Sequence, residues 1–191
     1  MTDLTPARGF DSLAVHAGQA FDPTTGAVIP PVHFSTTYAQ DGIGGLHQGY
    51  EYGRSGNPTR TALETQIAAL EGGKHGLSFS SGLAAVSTVL DLVGQGATVV
   101  APRHAYNGTV MQLADLEARG RSSAHLVEVS DTAAVVAACD DAALVWLESP
   151  TNPALEIADI AAISAAAHEA GAYVVVDNTF ATPINQQPLS L

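Results

Sequence analysis

Apolar and polar residues follow two different regimes along the chain. Up to about Gly56 neither the helical nor the strand period persists, and Gly, Pro, Thr and Tyr interrupt it, as in Asp22-Pro23, Pro30-Pro31 and Gly42-Ile43-Gly44-Gly45. A run this long without regular structure is uncommon as a mere connection within a compact domain and often serves binding or association. Residues 1–56 are therefore expected to form an extended arm with little core of its own. At residue 57 the pattern becomes regular. Asn57 can cap a helix, Pro58 suits its first position, and Leu63, Ile67 and Leu70 recur at i, i+4 and i+7 before Gly72-Gly73 ends the run.

Beyond Gly73 the pattern alternates. Short apolar runs at residues 76–80, 97–101, 124–129, 144–147 and 173–176 read as strands, and helical patterns cover 83–93, 110–119, 132–139 and 160–170. Strands that are apolar on both faces, separated by helices, imply a mainly parallel sheet covered on either side. The expected fold class is α/β, a three-layer αβα arrangement. The Ala-rich stretch at 161–167 reads as close helix packing.

Composition narrows the functional classes. With 46% hydrophobic residues and 14% charged ones, the 191-residue chain can bury a large core, which excludes intrinsic disorder. A net charge of −12 with 7 Lys+Arg leaves no basic face for nucleic acid or an anionic membrane. No run approaches a membrane-spanning length. The single cysteine, Cys139, excludes an internal disulfide framework and fits a reducing compartment. Met1-Thr2-Asp3-Leu4 shows no secretory pattern. A cytoplasmic protein is expected.

Ligands of open α/β sheets sit beyond the carboxyl ends of the strands. The residues there are Ser80-Ser81-Gly82, His104-Ala105-Tyr106-Asn107, Glu148 with Thr151-Asn152, and Asp177-Asn178-Thr179. Small donors, an aromatic ring, an amide and two carboxylates suit a polar aromatic ligand that carries a phosphate. Ser81-Gly82-Leu83 can turn closely into a helix whose first N–H groups attract an anion, or can be a plain strand–helix turn. Asp177, at a strand end, needs a cation or donors, for which a protonated pyridine nitrogen is one fit and a turn cap another. Tyr106 can stack on a ring or sit half-buried in the core. Asn152 is held between Pro150 and Pro153 and can present its amide or simply form a turn. Glu148 can support the site or pair with an arginine. Arg54, one of six arginines, can fork around a phosphate or remain solvated.

Other chemistries lack their residues. Gly76-Leu77-Ser78-Phe79-Ser80 ends in Ser where a nucleophile elbow needs Gly. Gly73-Lys74-His75 is not a phosphate loop, and Gly42-Ile43-Gly44 lacks the third dinucleotide glycine at His47. His168-Glu169 has no second His four residues on, so no metal site is expected.

Taken in order, the strings Val15-His16-Ala17-Gly18, Ser35-Thr36-Thr37-Tyr38, Tyr50-Glu51-Tyr52-Gly53-Arg54-Ser55-Gly56-Asn57-Pro58-Thr59-Arg60, Ser80-Ser81-Gly82-Leu83-Ala84-Ala85, Glu148-Ser149-Pro150-Thr151-Asn152-Pro153 and Val176-Asp177-Asn178-Thr179-Phe180-Ala181-Thr182-Pro183 make the chain resemble the first half of the cystathionine γ-synthase-like, or Cys/Met-metabolism, family of pyridoxal-phosphate enzymes. The resemblance implies the large domain of a fold-type I pyridoxal-phosphate transferase, with its first part at 57–191 and the remainder, including a small C-terminal domain, not contained in these residues. It implies pyridoxal 5'-phosphate as cofactor. Tyr52 and Arg54 would reach the phosphate of a neighbouring subunit. Ser81, Gly82 and Leu83 would hold the phosphate within the same subunit. Tyr106 would stack on the ring, Asn152 would bond near the ring hydroxyl, Asp177 would keep the ring nitrogen protonated, and Thr179 lies beside it.

The implied reactions are γ-eliminations or γ-replacements on homoserine-derived or cystathionine substrates, as in a cystathionine γ-synthase or γ-lyase. A methionine γ-lyase or an O-acetylhomoserine sulfhydrylase is the alternative within the family. The implied partners are an amino-acid substrate and, through the arm, a second copy or a full-length homologue in a homotetramer. The family's Schiff-base lysine has no counterpart here. The sole lysine, Lys74, follows a helix end far from every cofactor string. The isolated chain is therefore expected to be inactive, and a non-catalytic fragment that pairs with a full-length homologue is the alternative of another class. Asn107 and Gln95-Gly96-Ala97 depart from the family pattern, which often has Gly at the first position and a Gly-Asp pair before the strand.

Overall fold

The computed structural model describes residues 9–191, so the reading of Met1 to Leu4 and the first residues of the arm lie outside the described residues. The chain divides into two compact units, Met1–Ser78 and Phe79–Leu191.

In the first unit the arm is not wholly irregular. A short helix, α1 (Phe10–His16), is present where the sequence showed little helical period. At seven residues it has room for only about two turns, too few to show a repeating apolar face. Three isolated antiparallel bridges, Thr37 with Tyr52, Gln40 with Leu46 and His47 with Tyr50, fold the rest back on itself. Helix α2 (Pro58–Glu71) starts as predicted. Asn57 Oδ1 accepts from the N–H groups of Thr59 and Arg60 at 2.9 and 3.2 Å, and Gly72 at φ 70° ends the helix. Gly18 and Gly76 press so closely on the α2 carbonyls of Ala62 and Glu64 that any Cβ at either position would collide with them. The apolar stripe read on α2 is only partly covered by the described residues: Leu63 and Ile67 stay exposed, Leu70 is partly buried and Ala68 is the helix's one buried residue.

Residues 76–80, expected to be a strand, pair with no described strand. Ser78 finds its partner elsewhere: it donates to Glu64 Oε1 from its N–H at 3.0 Å and from its hydroxyl at 2.8 Å. A side chain of α2 thus replaces a ladder partner.

The second unit is the α/β sandwich. Helix α3 (Gly82–Leu90) leads into β1 (Ala97–Pro102), and α4 (Asn107–Ala118) connects that strand to β2 (Ser122–Val127). There follow α5 (Thr132–Ala138), β3 (Ala142–Glu148), α6 (Ile160–Glu169), β4 (Tyr173–Asp177) and the short α7 (Thr182–Asn185). The four strands are all parallel, in the order β2-β1-β3-β4. Strand alternation sorts the core into two layers. Val99, Ala101, Leu144 and Trp146 face Val86 and Leu90 of α3 and Leu113 and Leu116 of α4. Val100, Val145 and Leu147 face Val135 of α5 and Ile160, Ile163 and Ala167 of α6. Val99, Val100 and Val145 are wholly buried, each worth about 1.5–3 kcal/mol of transfer free energy. The three-layer αβα class is thereby observed. Ala167 supplies the close approach expected of the Ala-rich helix.

Strand β2 starts two residues earlier than its apolar run suggested. It is an edge strand, so polar residues are tolerated there, and Thr98 and Ser123 join their hydroxyls across the β1–β2 pair at 3.1 Å. From β1 the chain crosses over to β2, and from β3 it crosses over to β4 on the other side. The point where the order reverses therefore lies between β1 and β3, at their carboxyl ends.

Candidate active site

The residues beyond those strand ends converge. A cavity of about 250 Å³ is lined by Ser81, Gly82, Leu83, Tyr106, Asn152, Asp177 and Thr179, together with Val86, Glu148, Pro150 and Phe180. It is close to the smallest size usual for ligand pockets, about 300 Å³. Seven of the nine cofactor residues implied by the sequence thus surround one space, and every lining residue belongs to the second unit.

Each wall has a local cause. Ser81 is the N-cap of α3, and its Oγ accepts from the Ala84 N–H at 3.1 Å. That leaves the N–H groups of Gly82 and Leu83, at the positive end of the helix, without an acceptor among the described residues. A Cβ on Gly82 would meet nothing within 4 Å, so the space in front of this turn is open. Tyr106 stands at the N-cap position of α4 without a side-chain capping bond and is 42% exposed, which leaves its ring available as a wall. Asn152 holds the far side in a loop whose Ser149–Pro150 and Asn152–Pro153 bonds are both cis. Its side-chain amide has no partner among the described residues.

Asp177 ends β4 directly beside Glu148, which ends β3. Its Oδ1 accepts from the N–H and the hydroxyl of Thr179 at 3.1 and 2.5 Å, and its Oδ2 is left without a donor among the described residues. Thr179 therefore orients the carboxylate. Beyond the strand, Asn178 and Gln186 exchange two hydrogen bonds of 2.8 Å, and Gln186 also donates to the Ser149 carbonyl at 2.8 Å. The turn that carries Thr179 is thus tied to the loop that carries Asn152.

Glu148 settles the choice that the sequence left open between support and an arginine partner. It is 4% exposed; Oε2 accepts from the Tyr106 N–H and Oε1 from the Asn152 N–H, each at 2.7 Å. One buried carboxylate thereby fixes the backbones of two walls. Burial pushes its pKa above the ordinary carboxylate value, the two N–H donors oppose that, and Asp177 adds to it. Its place at a strand end before Ser149-Pro150 was the signal in the sequence. Phe180 and Gly108 carried no such signal. Phe180 is half exposed and lines the cavity, whereas Gly108 packs directly under the Tyr106 ring.

Tyr52 and Arg54 form a pair within the first unit. The Arg54 Nη2 donates to the Tyr52 hydroxyl at 3.4 Å, and its guanidinium carbon lies 5.0 Å from the Tyr52 ring centre. Arg60 pins the turn by donating to the carbonyls of Arg54 and Ser55 at 3.0 and 2.8 Å. No carboxylate pairs with Arg54 among the described residues, so its fork is free to meet an anion. The structure also gathers His104, Glu128 and Glu156, a cluster the scattered histidines did not suggest. Arg103 already holds Glu128 at 2.9 Å, and His104 Nδ1 lies 3.4 Å from Glu156. Arg103 and the two carboxylates thus meet at His104 as a cluster of polar side chains near the surface.

An unsatisfied anion cradle, an exposed ring, a free amide and a carboxylate with one free oxygen, all around a slot of this size, are the donors and acceptors a pyridoxal phosphate molecule requires. Residues 11–191 match the family described as Cys/Met metabolism PLP-dependent enzyme. The chain belongs to that family. It is 46% identical over 184 residues to a probable cystathionine gamma-synthase of Herpetosiphon aurantiacus, covering 96% of this chain and 57% of that protein. Against the cystathionine gamma-synthase of Mycobacterium tuberculosis the identity is 48% over 180 residues, 93% of this chain and 46% of the other. Among solved structures, metB from Corynebacterium glutamicum superposes with a TM-score of 0.92 at 41% identity, over 96% of this chain and 48% of that one. The chain thus spans about half the length of the relatives it matches. The family fold agrees with the fold-type I large domain expected from the sequence.

Proposed function

We propose that this chain forms the cofactor-binding part of a pyridoxal-phosphate-dependent trans-sulfuration enzyme, of the cystathionine γ-synthase or γ-lyase type, acting on sulfur amino acids or their homoserine-derived precursors. The observation that carries this is the convergence of Gly82, Leu83, Tyr106, Asn152 and Asp177 on one cavity with their ligand-facing groups unpartnered. Similar proteins bear the names cystathionine gamma-synthase, beta-lyase and gamma-lyase, which supports the carbon–sulfur chemistry and leaves the choice among the reactions open.

When bound, the cofactor supplies an electron-accepting ring that stabilises negative charge developing on a substrate carbon. This chain's residues bind and orient it. The N–H groups of Gly82 and Leu83, with Ser81 capping behind them, take the phosphate. The Tyr106 ring covers one face. Asn152 donates to the ring hydroxyl. Asp177, steadied by Thr179, holds a proton on the ring nitrogen, where its negative charge favours the protonated form. Tyr52 and Arg54 serve the phosphate of a neighbouring subunit, the arm making a homotetramer or a pair with a full-length homologue. The exposed apolar side chains of the arm, Phe34, Ile43, Val28 and Ile29 among them, support association through it. A cytoplasmic setting completes the reading.

Lys74 is the only lysine of these 191 residues and sits just past α2, in the first unit. Catalysis then needs a lysine from outside these residues. Titration of the chain with pyridoxal phosphate, followed by borohydride reduction and mass spectrometry, tests the proposal. Saturable, reversible binding that Asp177→Asn weakens by about tenfold, roughly the worth of a charge-assisted hydrogen bond, is expected, with no stable pyridoxyl-lysine formed. Absence of saturable binding overturns it, and a stoichiometric adduct on Lys74 overturns the assigned roles.

A further inference from the structure

Gly108 is the second residue of α4, a position where alanine is the better helix former. Its backbone does not demand glycine, because its φ lies outside the left-handed region. The demand is spatial. A Cβ at Gly108 would fall 2.5 Å from Tyr106 Cε1, 2.9 Å from Tyr106 Cζ and 3.2 Å from Leu83 Cδ1. The Tyr106 backbone cannot yield, since its N–H is anchored to buried Glu148 at 2.7 Å. The ring can, because it is 42% exposed and free to swing on its side-chain torsions. The same missing side chain also leaves room for the Leu83 Cδ1 atom, from a residue that lines the cavity.

We propose that Gly108 is a positioning residue: by lacking a side chain it lets the Tyr106 ring lie back against the first turn of α4, in the attitude that covers the face of a flat heterocycle in the cavity. Glu148 holds one end of Tyr106, and the empty space over Gly108 receives the other. The residue does not line the cavity and acts chiefly through the ring. This inference rests on the reading of the cavity as a pyridoxal-phosphate slot.

The test is a double-variant cycle on the whole 191-residue chain, with Gly108→Ala, Tyr106→Ala and both together. The readouts are the dissociation constant for pyridoxal phosphate, the circular dichroism of the bound chromophore and the thermal melt. G108A is expected to melt no lower than the parent while binding roughly tenfold more weakly, the scale of a lost stacking contact, and to change the chromophore's dichroism. Y106A is expected to lose a similar factor. The double variant is expected to match Y106A, because without the ring the new Cβ meets only Leu83 Cδ1, at 3.2 Å, the end of a flexible side chain that needs to shift by just a few tenths of an ångström. Should G108A alone unfold, the proposal requires the double variant to fold again. Parent-like binding and dichroism in G108A, or a double variant that loses the product of the two factors, overturns the proposal and leaves the cofactor reading standing. If the parent itself shows no saturable binding, the cofactor reading falls and takes this inference with it.

Discussion

The two units solve the problem of holding a binding residue in different ways. In the second, the site stands on a sheet whose central strands β1 and β3 are buried on both faces, with Val99, Val100, Val145 and Leu147 at 1% exposure or less. In the first, Ala68 is the single buried hydrophobic residue among the described ones, and Tyr52 and Arg54 are placed by turns, bridges and glycine contacts. A dense core fixes a strand end to within a bond length or so, whereas a turn without a core fixes only its own few residues. The walls that this chain supplies to the cavity therefore stand on the sheet of the second unit. The exposed apolar side chains of the arm, Phe34 and Ile43 among them, are the physical argument for the association proposed above.

The contrast breaks most easily in the core. Leu147→Ala, under the second unit, is expected to destabilise the chain by about 2–5 kcal/mol, whereas Phe34→Ala, at 92% exposure in the arm, changes the isolated chain by no more than about 0.5 kcal/mol. Denaturant melts of the two variants compare them directly. Equal losses would mean that the arm is as well packed as the sheet.

A smaller effect is expected at Glu148. Glu148→Gln leaves one of two buried N–H groups facing an amide that cannot accept from it, a loss of about 1–3 kcal/mol, and should loosen the Tyr106 and Asn152 walls together. Amide exchange at those two residues is the measurement. Unchanged exchange at both residues would show that the walls do not depend on this carboxylate.

Acid sharpens the comparison further, because the two units carry carboxylates whose pKa values move in opposite directions. Hydrogen bonds from Ser78 hold Glu64 below its ordinary value of 4.5, with Arg60 helping, so its contribution is present above that value and is lost as pH falls through the lower folded value. Burial holds Glu148 above 4.5. Between 4.5 and that raised value the folded state binds the extra proton, so its contribution to stability falls as pH rises and is regained on acidification. Stability measured from pH 7 down through 4 should therefore become less steeply acid-sensitive when Glu64→Gln is made and more so when Glu148→Gln is made. The same slope in both variants contradicts this pairing.

What could be read in the sequence divides along the same line. Where burial on both faces forces apolar runs, as in β1 and β3, the strands were legible, and β4 showed its apolar run although it is only partly buried. Tyr106, Asn152, Asp177 and Thr179 follow those three strands, whereas Ser81, Gly82 and Leu83 were marked by a glycine turn and by the family resemblance. Residues 76–80 misled because an apolar run carries no mark of whether a neighbouring strand exists; here Glu64 takes up the Ser78 hydrogen bonds instead. Edge strand β2 hid its start behind Ser122 and Ser123, which an edge tolerates. Helix α1 was too short to show a period. Gly108 was invisible because its importance is an empty volume beside Tyr106, and only coordinates reveal a space that must stay empty.

The central claim is that the strand-end residues of the second unit enclose a pyridoxal-phosphate slot. A crystal structure of the chain soaked with pyridoxal phosphate tests it most directly. The phosphate should lie on the N–H groups of Gly82 and Leu83, the ring against Tyr106, and the ring nitrogen within hydrogen-bonding distance of the Asp177 carboxylate. Density for the ligand elsewhere, or an Asp177 that meets no ring nitrogen, would contradict the account.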